Sequence, residues 1–368
     1  MSLTLFLYLV RRFLGTLLAA VIVVLALIVL IDLVELMRRT ANSDATVWDL
    51  LGLALLHALP VAGTTFPFVM MLSSMACFTR LARSSELVVA RASGLSGWRI
   101  LMPAVLSAAI LGVVGFAVLN PLSAAMLQRY ETLEARFLRG QESLLSISRE
   151  GLWLRQADTF GQTVIRAEHA NSAGTRLYGV SLFEFGRDNQ LLGRIEAEEA
   201  ELLPGEWRLH DVMRWNFDPA NPNTPPKRVR EDSRSVATDL TSDRILESFA
   251  SPDAIGFWDL PEFIETLRAS GFSALRHQMH FDRELTKPLL FSAMVLLGAA
   301  FSMGSARLSR IGLMLLAATL TGFALFFISD ITQALGASGA IPTLLAAWVP
   351  PSAAALLALG LLFYMEDG

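Results

Sequence analysis

Long uncharged runs alternate with short charged islands through the first third of the chain. Phe13 to Ile31 carries no charge and, as a helix, is long enough to cross roughly 30 Å of hydrocarbon. Arg11-Arg12 precede it, and Asp32, Glu35 and Arg38-Arg39 follow. A run of this length, followed by arginines instead of a small-residue cleavage site, predicts a retained first membrane helix. Leu50 to Thr79 is uncharged but interrupted by Pro60 and Pro67, which predicts an interfacial entry segment and a second span ending near Phe78. Ile100 to Gln128 predicts a third span, with Pro103 in its first turn and Asn120-Pro121 at its end. Pro288 to Ala306, Ile311 to Ser329 and Leu344 to Tyr364 predict three more, with Arg307 and Arg310 in a tight turn between the first two.

Between the two sets of three the period changes. Trp153 to Arg155, Gln162 to Ala167, Leu177 to Phe185, Arg194 to Leu203, Trp207 to Phe217 and Arg228 to Leu240 alternate like strands, separated by turn residues such as Pro204-Gly205. Strands at this spacing without intervening helices predict an antiparallel sandwich or half-open roll. Leu260 to Arg268 and Ala274 to Glu284 then read as helices leading back to the membrane. The predicted organisation is a first membrane half over about 1–128 (spans near 13–36, 55–79 and 100–121), an inserted all-β domain over about 129–285, and a second half over about 286–368 (spans near 287–306, 311–329 and 343–364). The fold class is an α-helical membrane protein with six transmembrane helices and an inserted β domain.

The island Arg80 to Arg99 is the most structured of the charged breaks. Ser84 or Ser85 can cap a short helix of roughly ten residues, about 84–94, with Glu86 in its first turn, Arg91 near its end and Gly94 as terminator. Such a helix is marginal alone and needs headgroups or a partner protein to lie against.

Composition agrees with a membrane protein: 53% of the 368 residues are hydrophobic and 17% charged. A net charge of −4 gives no footprint of a nucleic-acid binder. Position matters more than the total. Arg11, Arg12, Arg80, Arg83, Arg91, Arg99, Arg307 and Arg310 fall on one side, against Arg38 and Arg39 on the other, which predicts cytoplasmic termini and a β domain outside the cytoplasm. Cys77, the single cysteine, sits in an apolar run and excludes an internal disulfide.

No G-x-x-x-x-G-K-[ST] loop occurs, so nucleotide energy must come from another chain. His277 and His280 lie three apart on a predicted helix, but no acid or cysteine pattern completes a metal site, and they read as surface histidines. His57 reads as a packing or interfacial residue. No nucleophile, acid/base pair, metal site or cofactor loop is identified, and the spans show no paired catalytic polar residues. Arg38 and Arg39 either snorkel to headgroups or hold the phosphate of an amphiphile bidentately, and the sequence weighs the two equally. Arg129 and Arg136, seven apart on a predicted helix, can face the same ligand, although Glu131 and Glu134 between them favour a solvated face.

The stretch Arg83-Ser-Ser-Glu-Leu-Val-Val-Ala-Arg-Ala-Ser-Gly-Leu-Ser96, with three spans on either side of a β domain, resembles the lipopolysaccharide-export permeases of the F/G (YjgP/YjgQ) type. Ser143-Leu-Leu-Ser, Gly151-Leu-Trp and Gly339-Ala-Ile-Pro342 are closer to the G-type subunit than to the F-type. The resemblance implies a subunit of an ABC transporter that extracts lipopolysaccharide from the inner membrane of a Gram-negative bacterium. It implies pairing with a homologous F-type permease subunit, drive from a cytoplasmic LptB-like ATPase dimer, and delivery through a periplasmic jellyroll to LptC-like and LptA-like bridge proteins. Ser85, Glu86, Leu87, Val88, Arg91 and Gly94 then fall in the ATPase-coupling helix, and no cofactor is implied. Members often carry a basic residue at the outer end of the first span, where this chain has Asp32; Gln128 and Glu131 stand where arginines are expected further on. A membrane scaffold or signal transmitter with a sensor domain outside the membrane is the alternative function.

Overall fold

The computed structural model describes residues 2–40, 46–134, 145–148, 151–158, 161–171, 175–186, 190–217, 226–238, 240–241, 251–269, 272–303 and 311–366. Two compact units emerge. One comprises 1–140, 253–258 and 275–368, the other 141–252 and 259–274.

The first unit is helical: α1 (Leu3–Arg39), α2 (Val47–Arg83), α3 (Glu86–Ala92), α4 (Gly97–Val114), α5 (Asn120–Glu134), α7 (Leu275–Met303), α8 (Ile311–Ala337) and α9 (Thr343–Glu366). Six helical stretches are long and apolar enough to cross a membrane, as the pattern predicts. Several run further than expected. α2 is one helix containing both Pro60 and Pro67, without a separate entry segment. The hydroxyls of Thr64 and Thr65, between the prolines, bond back to the carbonyls of Val61 and Ala62. The third span does not stop at Asn120-Pro121. A π-helical turn over Gly115–Leu119 joins α4 to α5, since Pro121 costs nothing at a fresh first turn. α7 likewise fuses the predicted juxtamembrane helix with the fourth span.

The core of this unit is built by close approach. A Cβ at Gly298 of α7 would lie 2.3 Å from the Met71 carbonyl oxygen of α2, and one at Gly112 of α4 would lie 2.4 Å from Cα of Pro288 in α7. Only glycine allows these backbones to meet, and the contact is fastened where Ser74 donates to the Val295 carbonyl at 2.7 Å. Phe13, Met70, Met71, Phe78, Ile100 and Leu297 fill the space around it. The segment Asp253–Trp258 also belongs here. Phe257 stacks on Phe281 at 5.0 Å and its N–H donates to Asn120, while the Trp258 indole donates to the Ala117 carbonyl inside the π turn.

The second unit is one antiparallel sheet of β1 (Leu145–Ser148), β2 (Gly151–Asp158), β3 (Gly161–Ala167), β4 (His169–Ala170), β5 (Arg176–Gly186), β6 (Leu191–Leu203), β7 (Glu206–Asn216) and β8 (Lys227–Ala237), plus α6 (Leu260–Ala269). The order β1-β2-β3-β5-β6-β7-β8, with β4 on β5, places each strand beside its sequence neighbours in a single sheet, except that the short β4 pairs β5 and not β3. This is the inserted antiparallel β domain. Leu154, Ile165, Leu182 and Ile195 align across β2, β3, β5 and β6 as one fully buried row, the period-2 consequence of their register. The opposite face is arginine-rich: Arg194 of β6 lies over Phe183 and Trp215, its cross-strand partners. Leu260, Ile264 and Leu267 give α6 a buried apolar side.

Candidate functional site

Two places in the helical unit concentrate chemistry. The first is the loop and short helix between α2 and α4. α3 has seven residues, fewer than expected, and neither serine caps it: Ser85 sits at φ +61 with no side-chain cap, and Ser84 donates to Glu86 Oε1 at 2.8 Å. A left-handed non-glycine residue is a sharp corner held by its surroundings. What holds it is the start of α1. Tyr8 donates its hydroxyl proton to Glu86 Oε2 at 2.8 Å, Arg12 Nε donates to the Tyr8 oxygen at 3.0 Å, and the Arg12 guanidinium reaches Glu86 at 3.9 Å. The bonds from Tyr8 and then Ser84 hold the Glu86 carboxyl below the ordinary carboxylate range. Leu87 is buried in the helical core, while Val88 and Val89 are 65% and 68% exposed and Arg91 projects outward. Gly94 at φ +85 ends the helix. α3 therefore presents two adjacent valines and an arginine from a base fixed to α1.

The second is an open cavity of about 650 Å³ lined by α1, α2, the π turn, α5, α7, α8 and α9. Pro60 to Phe68, Leu290, Phe291 and Phe326 give it apolar walls, and α7 gives it a polar end. There Glu284, 2% exposed, pairs with Lys287 at 2.5 Å. Arg283 donates to Gln333 of α8 at 3.0 Å and to Asp253 at 3.2 Å. His280 places Nδ1 3.2 Å from Asp253, and this bond, against the opposing effect of burial, takes the Asp253 carboxyl down to about 2. At another wall His57 Nδ1 meets Asp32 at 2.6 Å while its ring stacks on Tyr130 at 4.5 Å.

These findings correct several sequence expectations. His277 and His280 are buried, not surface residues, because α7 runs on into the bundle and turns that face inward. The spans do contain paired polar residues, Asp32 with His57 and Glu284 with Lys287; the partners of the first pair are 25 residues apart in sequence. Asp32 occupies the position where a basic residue was expected, and a histidine from α2 answers it. A lone acid in an apolar run was the signal for this pairing. Among the described residues no group of three or more His, Cys, Asp or Glu side chains converges as a metal site.

Arg38 and Arg39 both donate to Glu35, Arg38 through two bonds of 2.9 and 2.8 Å and Arg39 through one of 2.7 Å. Arg39 also lies 3.6 Å from Glu134 of α5. Arg38 nevertheless keeps 75% of its side chain exposed. Arg129 is exposed with no ion-pair partner among the described residues. Arg136, Arg307 and Arg310 lie outside the described residues.

Helices that can cross a bilayer, a large cavity between them, an inserted β domain and a charged helix between the second and third spans define a multi-pass membrane permease. The chain belongs to the lipopolysaccharide export system permease family LptF/LptG, whose family model matches residues 7–364. It is 24% identical over 364 residues to the lipopolysaccharide export system permease protein LptG of Escherichia coli strain K12, covering 96% of each chain. It is also 24% identical to the protein of the same name from Haemophilus influenzae over 348 residues, 93% of each.

Proposed function

We propose that the chain is the G-type permease of an ABC transporter, paired with a homologous F-type subunit and driven by a separate cytoplasmic ATPase dimer. In this reading it lifts lipopolysaccharide from the inner membrane toward bridge proteins outside it. Both termini and α3 are then cytoplasmic, and the β domain is periplasmic, in line with the arginine distribution. The observation that carries the reading is the 650 Å³ cavity with apolar walls inside a bundle of membrane helices. Each acyl CH₂ exposed to water costs about 0.8 kcal/mol, so a multi-chain amphiphile must pass between apolar shelters.

The motor acts at Ser85 to Gly94. Val88, Val89 and Arg91 are free to meet another protein, while Leu87 and the Glu86 bonds to Tyr8 and Arg12 carry its push into the core and into α1. Arg38, Arg39, Arg129 and Arg136 serve as lipid-phosphate contacts, with Glu35 holding the first two guanidinium planes in place.

The test is photo-crosslinking in the reconstituted complex. Crosslinkers along the cavity and the buried side of the sheet are expected to give lipopolysaccharide adducts that grow with ATP. No adduct at any position would favour the scaffold function. Glu86→Lys is expected to leave assembly intact and to lower lipid-coupled ATP hydrolysis about tenfold, on the scale of one lost charge-assisted network; unchanged transport would remove α3 from the coupling role.

A further inference from the structure

The outward face of the β sheet, behind the buried row of Leu154, Ile165, Leu182 and Ile195, carries aromatic rings and guanidinium groups in alternation. In register across four strands, Phe183 of β5 faces Arg194 of β6, Arg194 faces Trp215 of β7, and Trp215 faces Arg228 of β8. The Arg194 guanidinium lies 5.6 Å from the centroid of the Phe183 ring and 5.7 Å from that of Trp215, and the Arg228 guanidinium lies 5.9 Å from that of Trp215. One step along the same face, Arg166 of β3 lies 5.7 Å from the ring of Trp153, its partner on β2. Arg194 and Arg228 are exposed, and Phe183 and Trp215 are half-buried beside them. Arg194 shares its charge with Glu196, and Arg230 shares its own with Asp211. Arg228 meets the Met213 sulfur at 2.9 Å and has no carboxylate partner among the described residues.

We infer that this outward face binds an anionic saccharide, the sugar portion of the exported lipid. The inference rests on the export reading above and concerns the part of the cargo that apolar shelters cannot take. Hydroxyl groups placed among apolar walls lose their hydrogen bonds to water without replacement, so the sugars travel outside the shelter their acyl chains occupy. A sugar ring presents a face of weakly positive C–H groups, which matches the negative faces of Phe183 and Trp215. Phosphate or carboxylate substituents on the sugars match the guanidinium groups, which hold an oxyanion through paired N–H donors. Alternating in register, the four side chains offer both kinds of contact over about 14 Å, three strand spacings. A purely apolar ligand would make no use of the arginines, and a bare phosphate would make none of the rings. Arg228 is the main anion contact, because no carboxylate of the described residues competes for it. An acidic surface of a neighbouring protein is the competing occupant.

The test uses the full complex in phosphatidylcholine nanodiscs carrying one of two glycolipids with identical acyl chains and sugar sequence. One bears phosphates on its oligosaccharide, and the other has had them removed. Ser181→p-benzoylphenylalanine, on the same face between Arg166 and Glu196, reports contact with the sheet. Phe66→p-benzoylphenylalanine reports cavity occupancy. Both glycolipids are expected to give Ser181 adducts, the phosphorylated one half-saturating at roughly tenfold lower content, the scale of one charge-assisted contact. Arg228→Gln is expected to abolish that difference without moving the dephosphorylated curve. Trp215→Leu is expected to weaken both curves about fivefold, and Trp215→Tyr, which keeps a flat ring, to restore them. None of the three should change the Phe66 adducts. Equal Ser181 curves in the parent protein, or Phe66 adducts without Ser181 adducts, would overturn the saccharide site and leave the export reading standing. Failure of Trp215→Tyr to restore binding would make Trp215 a packing residue and overturn the stacking. Ser181 adducts to a protein chain in place of glycolipid would assign the face to that protein and overturn the saccharide site. Adducts at neither position would overturn both readings.

Discussion

α1 and α7 are both membrane helices, yet they are opposites. The most apolar stretch of α1 has 6% of its residues buried within the protein, and that of α7 has 61%. α1 is apolar around its whole circumference and offers it to lipid or to a neighbouring chain. α7 carries His277, His280, Asp282, Glu284, Thr286 and Ser302, all buried. In a soluble protein the oilier helix would be the core. In a bilayer lipid solvates the oily helix at no cost, while polar side chains must find partners inside the bundle. α7 is therefore the post around which α2, α4, α8 and α9 pack, and α1 is held mainly by α2 and by the Tyr8, Asp32 and Arg39 bonds near its two ends.

The contrast breaks most visibly at glycine. Gly298→Leu or Gly112→Leu forces a side chain into backbone 2.3 to 2.4 Å away. Each is expected to cost about 3 kcal/mol or more and to abolish monodisperse protein in detergent chromatography. Gly15→Leu in α1 meets nothing within 4 Å and is expected to shift thermal stability by less than about 1 kcal/mol. Equal damage from both would mean that α1 is as tightly packed as α7.

The second test concerns the polar interior of α7. Glu284→Gln leaves Lys287, 20% exposed, beside a neutral partner and is expected to destabilise the protein by about 2 to 3 kcal/mol in thermal unfolding. Replacing both by leucine and methionine is expected to recover most of the loss, whereas no recovery would give the pair a role beyond charge balance. Smaller still is the pH response of Asp253. Its folded-state pKa of about 2 lies below the ordinary 3.8, so its contribution to stability is complete above about pH 4 and is lost as pH falls toward 2. Asp253→Asn is expected to flatten stability across that window while leaving it unchanged in slope above pH 5, as read by hydrogen exchange of Phe257 and Trp258.

What was legible in the chain was whatever depends on local composition. The spans were readable because hydrocarbon selects length and absence of charge, and the strands because a sheet with one buried face enforces alternation. Gly94 was readable as a terminator because few residues tolerate φ +85. A serine ahead of a glutamate predicts a cap, whereas Ser85 turns a left-handed corner and Ser84 bonds the Glu86 carboxylate instead. His57 and His280 carry no local signal of their pairing because their partners, Asp32 and Asp253, lie 25 and 27 residues away, beyond any local pattern.

The sequence by itself determined six crossings, an inserted antiparallel domain, the arginine asymmetry and the charged helix between the second and third spans. Each follows from a one-dimensional rule about what water and lipid accept. Tertiary structure decided which helix is the post and which is the periphery, and which carboxylate answers which cation. Those depend on where backbones can approach, and Gly112 and Gly298 become close-approach positions only when Pro288 and Met71 stand opposite them.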